Sequence, residues 1–176
     1  MRPGGVFWPL LLLILIVLSG PHDIAAQTPA EFLIVPGERI GNWSLSMSLA
    51  DLVAALGPRY GESPERSGLP GGNLYDFVEH NVLVIFCVNS RRVMQIGVYR
   101  SNNPARQEVL ARYRTAEGIG LDSPLSAVIA AYGQPTWTYD WGGGYKGHPF
   151  RNGLYVNVDP QGKISYIAVY PGFWRC

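Results

Sequence analysis

The sequence predicts an α+β protein built from two tandem units, each a short helix followed by an antiparallel strand meander, with the helices on one face of the sheet. Three observations carry this prediction. Leu45, Leu49, Ala54, Ala55 and Gly57 recur identically as Leu121, Leu125, Ala130, Ala131 and Gly133, always 76 positions later, which is how an internally repeated unit reads. After each copy the apolar period changes from that of a helix to the alternation of a strand. Finally, 47% of the 176 residues are hydrophobic and 15% are charged, a composition that packs a core and excludes disorder.

Residues 1–26 read as a cleaved export signal. Arg2 gives a basic start, Leu10 to Leu18 is unbroken and apolar, Ser19-Gly20-Pro21 breaks any helix, and Ala25-Ala26 precedes Gln27. That apolar run is about half the roughly 20 residues needed to cross a bilayer. The chain is therefore expected to be exported, periplasmic or secreted, with no stable membrane span after cleavage. Residues 27–33 are expected to be a linker.

The first unit spans 34–100. Its helix is expected over 48–56, with Ser48 or Ser46 accepting the free amides at the start. Leu49, Leu52, Val53 and Leu56 form one stripe, and Gly57-Pro58 ends it with a left-handed glycine cap. Strands are expected over 74–79, 82–88 and 93–99, turning at His80-Asn81 and Asn89 to Arg92. Residues 101–112 connect the units, and Pro104 to Tyr113 reads as a brief extra helix. The second unit spans 113–170, with a helix over 124–132 whose stripe is Leu125, Val128, Ile129 and Tyr132. Pro124 suits its first position, and Gly133 and Pro135 end it. Strands follow over 136–141, 154–158 and 163–170, and residues 171–176 are a tail. Ile96-Gly97-Val98-Tyr99 matches Ile167-Ala168-Val169-Tyr170. One helix on three strands buries little, so the two units are expected to pack side by side.

The doubled pattern, a helix closing on Gly-Pro or Gly-x-Pro before a meander, resembles the β-lactamase-inhibitor-protein-like superfamily, which includes small outer-membrane assembly lipoproteins. Its carriers are Leu45 through Gly57-Pro58 and Gly118-Ile119-Gly120-Leu121 through Gly133-Gln134-Pro135. The resemblance covers roughly Ile34 to Tyr170. Members usually have Gly where this chain has Ser46 and Asp122, so the turn before each helix departs from the pattern. The resemblance implies an exported, non-enzymatic protein whose sheet contacts another protein. Neither inhibition nor lipidation is carried over, since no inhibitory loop can be placed and no cysteine follows the leader.

Other chemistry is sparse. A formal charge of +1 excludes an electrostatically driven nucleic-acid binder. His80 and His148 lack metal-ligand spacing and no Cys-x-x-Cys occurs, so no metal or cofactor is expected. No Gly-x-Ser-x-Gly elbow is present, and Gly142-Gly143-Gly144 lacks the Lys-Ser/Thr of a phosphate loop, which leaves it a hairpin tip. Asp140 and Asp159 have no reason in the sequence to meet. Cys87 and Cys176 are a candidate disulfide in an oxidising compartment; alternatively Cys87 is a small buried hydrophobe and Cys176 frays. Aromatic density is what stands out. Trp137, Tyr139 and Trp141 alternate along one strand, and Tyr145, Phe150 and Tyr155 follow. With Ile96, Val98, Ile167 and Val169 facing the core, Tyr99, Tyr166 and Tyr170 take the opposite face. These rings either form an open contact surface for another envelope or secreted protein, or fill a second core layer. Rival functions are a small-ligand binder with an aromatic groove between the units, where Arg151 or Arg114 orients an anion, and an enzyme with an unrecognised site, which polar residues clustered within hydrogen-bond reach of His148 or His80 would reveal.

Overall fold

The computed structural model describes residues 28–64, 70–172 and 176. The leader expected over 1–26 and the tail rings Phe173 and Trp174 lie outside the described residues. Among the described residues there are three α-helices and twelve strands in two sheets, a mixed α+β fold that is mostly sheet.

A 3₁₀ turn at Ala30–Phe32 leads into β1 (Leu33–Val35), β2 (Arg39–Ile40) and β3 (Trp43–Ser44). Helix α1 (Leu49–Leu56) precedes β4 (Gly61–Ser63), β5 (Gly72–Phe77), β6 (Val82–Cys87) and β7 (Arg92–Tyr99). Helix α2 (Pro104–Leu110) and β8 (Arg114–Thr115) lead to α3 (Leu125–Tyr132). The chain ends in β9 (Tyr139–Gly142), β10 (Tyr145–Pro149), β11 (Leu154–Val158) and β12 (Ile164–Val169). The large sheet runs β4-β5-β6-β7-β12-β11-β10-β9, and the small one β3-β2-β1-β8.

Residues 27–33 were expected to be a linker, but Ala30–Phe32 is a 3₁₀ turn and Leu33 opens β1, which pairs in parallel with β8. Ile34 is nearly solvent-free in the main core, so burial draws this segment into the fold. The first strand of the meander starts two residues earlier than expected, at Gly72, and stops at Phe77, where His80 and Asn81 donate their amides back to Phe77 and Val78. The strand expected over 136–141 is only Tyr139–Gly142, and β4 and β10 lie where no strand was expected.

Local chemistry sets the helix ends. Ser48 accepts the Asp51 amide at 3.1 Å while Asp51 accepts the Ser48 amide at 2.9 Å, a reciprocal capping box. Pro124 sits just before α3 instead of inside it and caps nothing with its side chain; the Leu125 amide is taken by the Gly162 carbonyl of the β11–β12 turn. Gly57 (φ 89°, ψ 162°) and Gly133 (φ 79°, ψ −167°) do close their helices. They use the extended positive-φ basin open only to glycine, not the left-handed helical one.

One face of the large sheet makes the main core. Val82, Val84, Ile96, Val98, Leu154, Val156, Ile164, Ile167 and Val169 pack there with Leu52 and Leu56 of α1, Val128 of α3 and Leu110 of α2. Ile34 and Ile40 join from the small sheet. At the centre β7 and β12 run antiparallel, with Ile96 opposite Val169, Gly97 opposite Ala168 and Val98 opposite Ile167. Arg100, just past β7, bridges Asp122 at 2.8 Å and Asp159 at 2.9 Å and so ties the segment before α3 to the turn before β12. Cys87 on β6 and Cys176 are joined by a disulfide, their Cα atoms 5.3 Å apart.

Candidate functional site

The opposite face of the sheet holds the aromatic residues, and they divide into a buried group and an exposed one. On the central strands Tyr155, Tyr166 and Tyr170, named as candidates for an open contact surface with a second core layer as the alternative, take the second form. They are 4%, 8% and 2% exposed, clustered with Ala168 and with the half-buried Leu83 and Tyr99. The reason lies in their small neighbours. The Tyr166 ring lies against the place where a Gly97 Cβ would stand, and the only side chain facing the ring cluster from between Tyr166 and Tyr170 is the methyl of Ala168. The hydroxyls are spoken for: Gln95 donates to the Tyr166 hydroxyl at 2.6 Å, Tyr99 donates to Asp76 at 3.0 Å, and Tyr170 donates to the Phe150 carbonyl at 2.7 Å. Burial raises the pKa of Tyr166 and Tyr99 well above the ordinary phenol value, so both stay neutral. A second cluster on this face gathers Ile85, Cys87 and Met94 beside Leu74.

The exposed group lies at the sheet edge. All four residues of β9 are exposed, and β9 pairs with β10 on one side only. Trp137, Tyr139 and Trp141 are 42%, 43% and 60% exposed. Their rings touch in sequence, 6.1 Å between the Trp137 and Tyr139 centroids and 5.8 Å between those of Tyr139 and Trp141. Alternation along an extended segment puts the three on one side, as the sequence implies. The row is held at its inner end. Trp141 Nε1 donates to the Tyr155 hydroxyl and to Asn157 Oδ1, each at 3.2 Å, and Tyr155 donates to the same Asn157 oxygen at 2.7 Å. Burial pushes the Tyr155 hydroxyl up to about 12, so it remains a proton donor throughout the physiological range. From Tyr155 the contact passes to Tyr166, 6.1 Å away, so the surface row continues into the buried layer.

Asn157 and Gly147 have no place in the sequence reading, yet both build this site. A Cβ at Gly147 would lie 2.2 Å from the Tyr155 hydroxyl and 2.6 Å from Trp141 Nε1, so this glycine makes room for the bracket. A glycine inside a strand, where side chains are otherwise favoured, is the signal that could have pointed there. Gly142, Gly143 and Gly144, all at positive φ, form the β9–β10 turn. Tyr145, 46% exposed, follows it.

Other candidate chemistry stays apart. His148 is buried on β10, with Nδ1 3.1 Å from Thr138 Oγ1 and Nε2 without a partner among the described residues. Burial, with a smaller contribution from Lys146, lowers its pKa below the usual imidazole value. His80 is exposed and lines a cleft of about 320 Å³ with Glu79, Arg106 and Tyr113. A larger cleft of about 830 Å³ lies between the segment from Ser44 to Ser48 and the β6–β7 turn at Arg91 and Arg92. Arg114 donates to the Gly118 carbonyl, and neither it nor Arg151 lines either cleft. Asp140 takes the Gly142 amide, while Asp159 is held by Arg100, so these carboxylates serve separate turns. Among the described residues no group of three His, Cys, Asp or Glu is placed to hold a metal ion, and no helix is long and apolar enough to cross a membrane. No protein-family model, curated protein or solved structure matches this chain.

Proposed function

We propose that this chain is an exported, non-catalytic protein-binding module that docks another envelope or secreted protein on the aromatic edge of its large sheet. The observation that carries this is the row of Trp137, Tyr139 and Trp141, exposed, mutually packed and anchored from behind. Large rigid rings with little rotamer entropy to lose are the side chains that dominate protein interfaces. The rings meet at 85° and 32°, so the row is ridged, which suits a partner's side chains better than the flat face of a small ring.

The same reading treats the chain as two copies of one unit. The strand order of the large sheet is palindromic, β4 to β7 answering β9 to β12. At its centre Ile96 pairs with Val169 and Val98 with Ile167, which is the exchange a two-fold axis between matched segments produces. That pattern is what a duplicated helix-plus-meander unit would leave, and the reading of the chain as exported rests on its leader-like first 26 residues.

A second reading, a small-ligand binder, rests on the cleft of about 830 Å³, lined by Arg91 and Arg92 with Ser44, Ser46, Ser48, Val93 and Met94. Affinity capture from the native envelope separates the two. The Trp137→Ala/Tyr139→Ala double variant should lose the captured protein while its melting temperature stays near that of the parent. Capture of the same protein by both would refute the docking surface.

A further inference from the structure

The aromatic row lies on a strand whose outer edge has no neighbouring strand among the described residues, and this says what form the docked polypeptide takes. Resting on the docking function proposed above, we infer that β9 binds its partner by strand addition, accepting an extended amphipathic segment as a ninth strand of the large sheet. Every residue of β9 is exposed, and among the described residues it pairs with β10 alone, Tyr139 with Gly147 and Asp140 with Lys146. The other flank of such a strand presents a row of backbone N–H and C=O groups spaced for another chain.

The two edges of the sheet differ. At the far edge β4 has three residues and runs directly into Pro64, which has no amide to donate. Between Thr136 and His148 there is no proline and β9 carries no lysine; its edge protection is confined to its four-residue length, the Asp140 charge and a register shift against β10 between Tyr145 and Lys146. Tyr139 and Trp141 stand on one side of β9 and Asp140, whose registered neighbour is Lys146, on the other. A strand laid alongside alternates in the same way. Its apolar or aromatic side chains cover the ring row, and its polar ones sit beside the Asp140–Lys146 pair. Four to five residues, about 15 Å at the usual rise per residue, match the length of β9 and β10.

The test uses a displayed library of random peptides, panned on the immobilised chain. Enriched peptides should alternate apolar and polar residues. N-methylation of every second amide in one register should weaken them more than tenfold, while methylation in the other register leaves affinity unchanged. Tyr139→Ala should weaken them too. Peptides that tolerate methylation in both registers but still require Tyr139 overturn strand addition and leave aromatic docking standing. Peptides indifferent to Tyr139→Ala, or no enrichment at all, overturn both. A dimer in sedimentation that the peptides do not dissolve assigns the edge to a second copy and also overturns the proposal.

Discussion

A methyl group at residue 97 would lie 2.4 Å from two ring carbons and the hydroxyl oxygen of Tyr166, a ring held at that hydroxyl by Gln95. The ring cannot swing away without giving up that bond inside a buried cluster, so Gly97→Ala is expected to destabilise by about 1–3 kcal/mol, the range of overpacked cores. Denaturant unfolding of the two proteins checks it, with a smaller effect expected from alanine at Gly61, which has open space around it. This contact also shows what a sequence conveys at the scale of single side chains. Alternation correctly assigns Tyr99, Tyr166 and Tyr170 to the face away from the core, because strand period is a backbone property. Whether a ring on that face is open or covered depends on neighbours across strands, and Gly97 becomes the neighbour of Tyr166 only through a pairing that joins positions far apart in the chain. The same holds for Gly147 and Asn157, which acquire a role only when β10 and β11 are side by side.

At the scale of elements, both long helices and the strands rich in β-branched residues are legible, since each has enough length for its period to show. Strands β1, β2, β3, β4 and β8 have two or three residues each, too few to display any alternation. Strand β10 escapes for another reason: Tyr145–Pro149 reads Y-K-G-H-P, in which the buried positions are glycine, histidine and proline. The histidine gives this hairpin a pH dependence. Its folded pKa lies below the ordinary value, chiefly through burial. The unfolded chain therefore takes up a proton near the ordinary imidazole pKa of about 6.5 that the folded chain refuses. Stability is lost as pH falls from there toward the lowered folded pKa, and no loss arises from this group above that range. Urea midpoints measured between neutral pH and the onset of carboxylate protonation should fall with acid. His148→Gln, which carries no titrating ring, should flatten that portion of the curve. The Asp159 carboxyl enters only at lower pH. Burial alone would raise its pKa, but the Lys163 amide, the Arg100 guanidinium and the Gln161 amide together hold it below the usual carboxylate value. Its contribution is lost as pH falls through that depressed value.

At the scale of the whole molecule, the Cys87–Cys176 bond joins the last residue to a strand of the first meander across a separation of 89 residues. Closing a loop of that size restricts the unfolded chain by about 4.6 kcal/mol in the entropy treatment of cross-links. Cys87→Ala/Cys176→Ala is expected to lower stability by that order, and a reducing agent should produce a similar drop in the parent's melting temperature and none in the variant's. The order of strands has a temporal side as well. The ribbon that completes the middle of the large sheet, β12, is the last of the described strands to be synthesised, and until it arrives β7 has no neighbour on one flank and β11 lacks one of its two. A chain made from its N-terminus therefore holds two half-sheets unjoined until β12 is free. Such distant pairing is slow to form, so the joining of the two half-sheets comes late in folding.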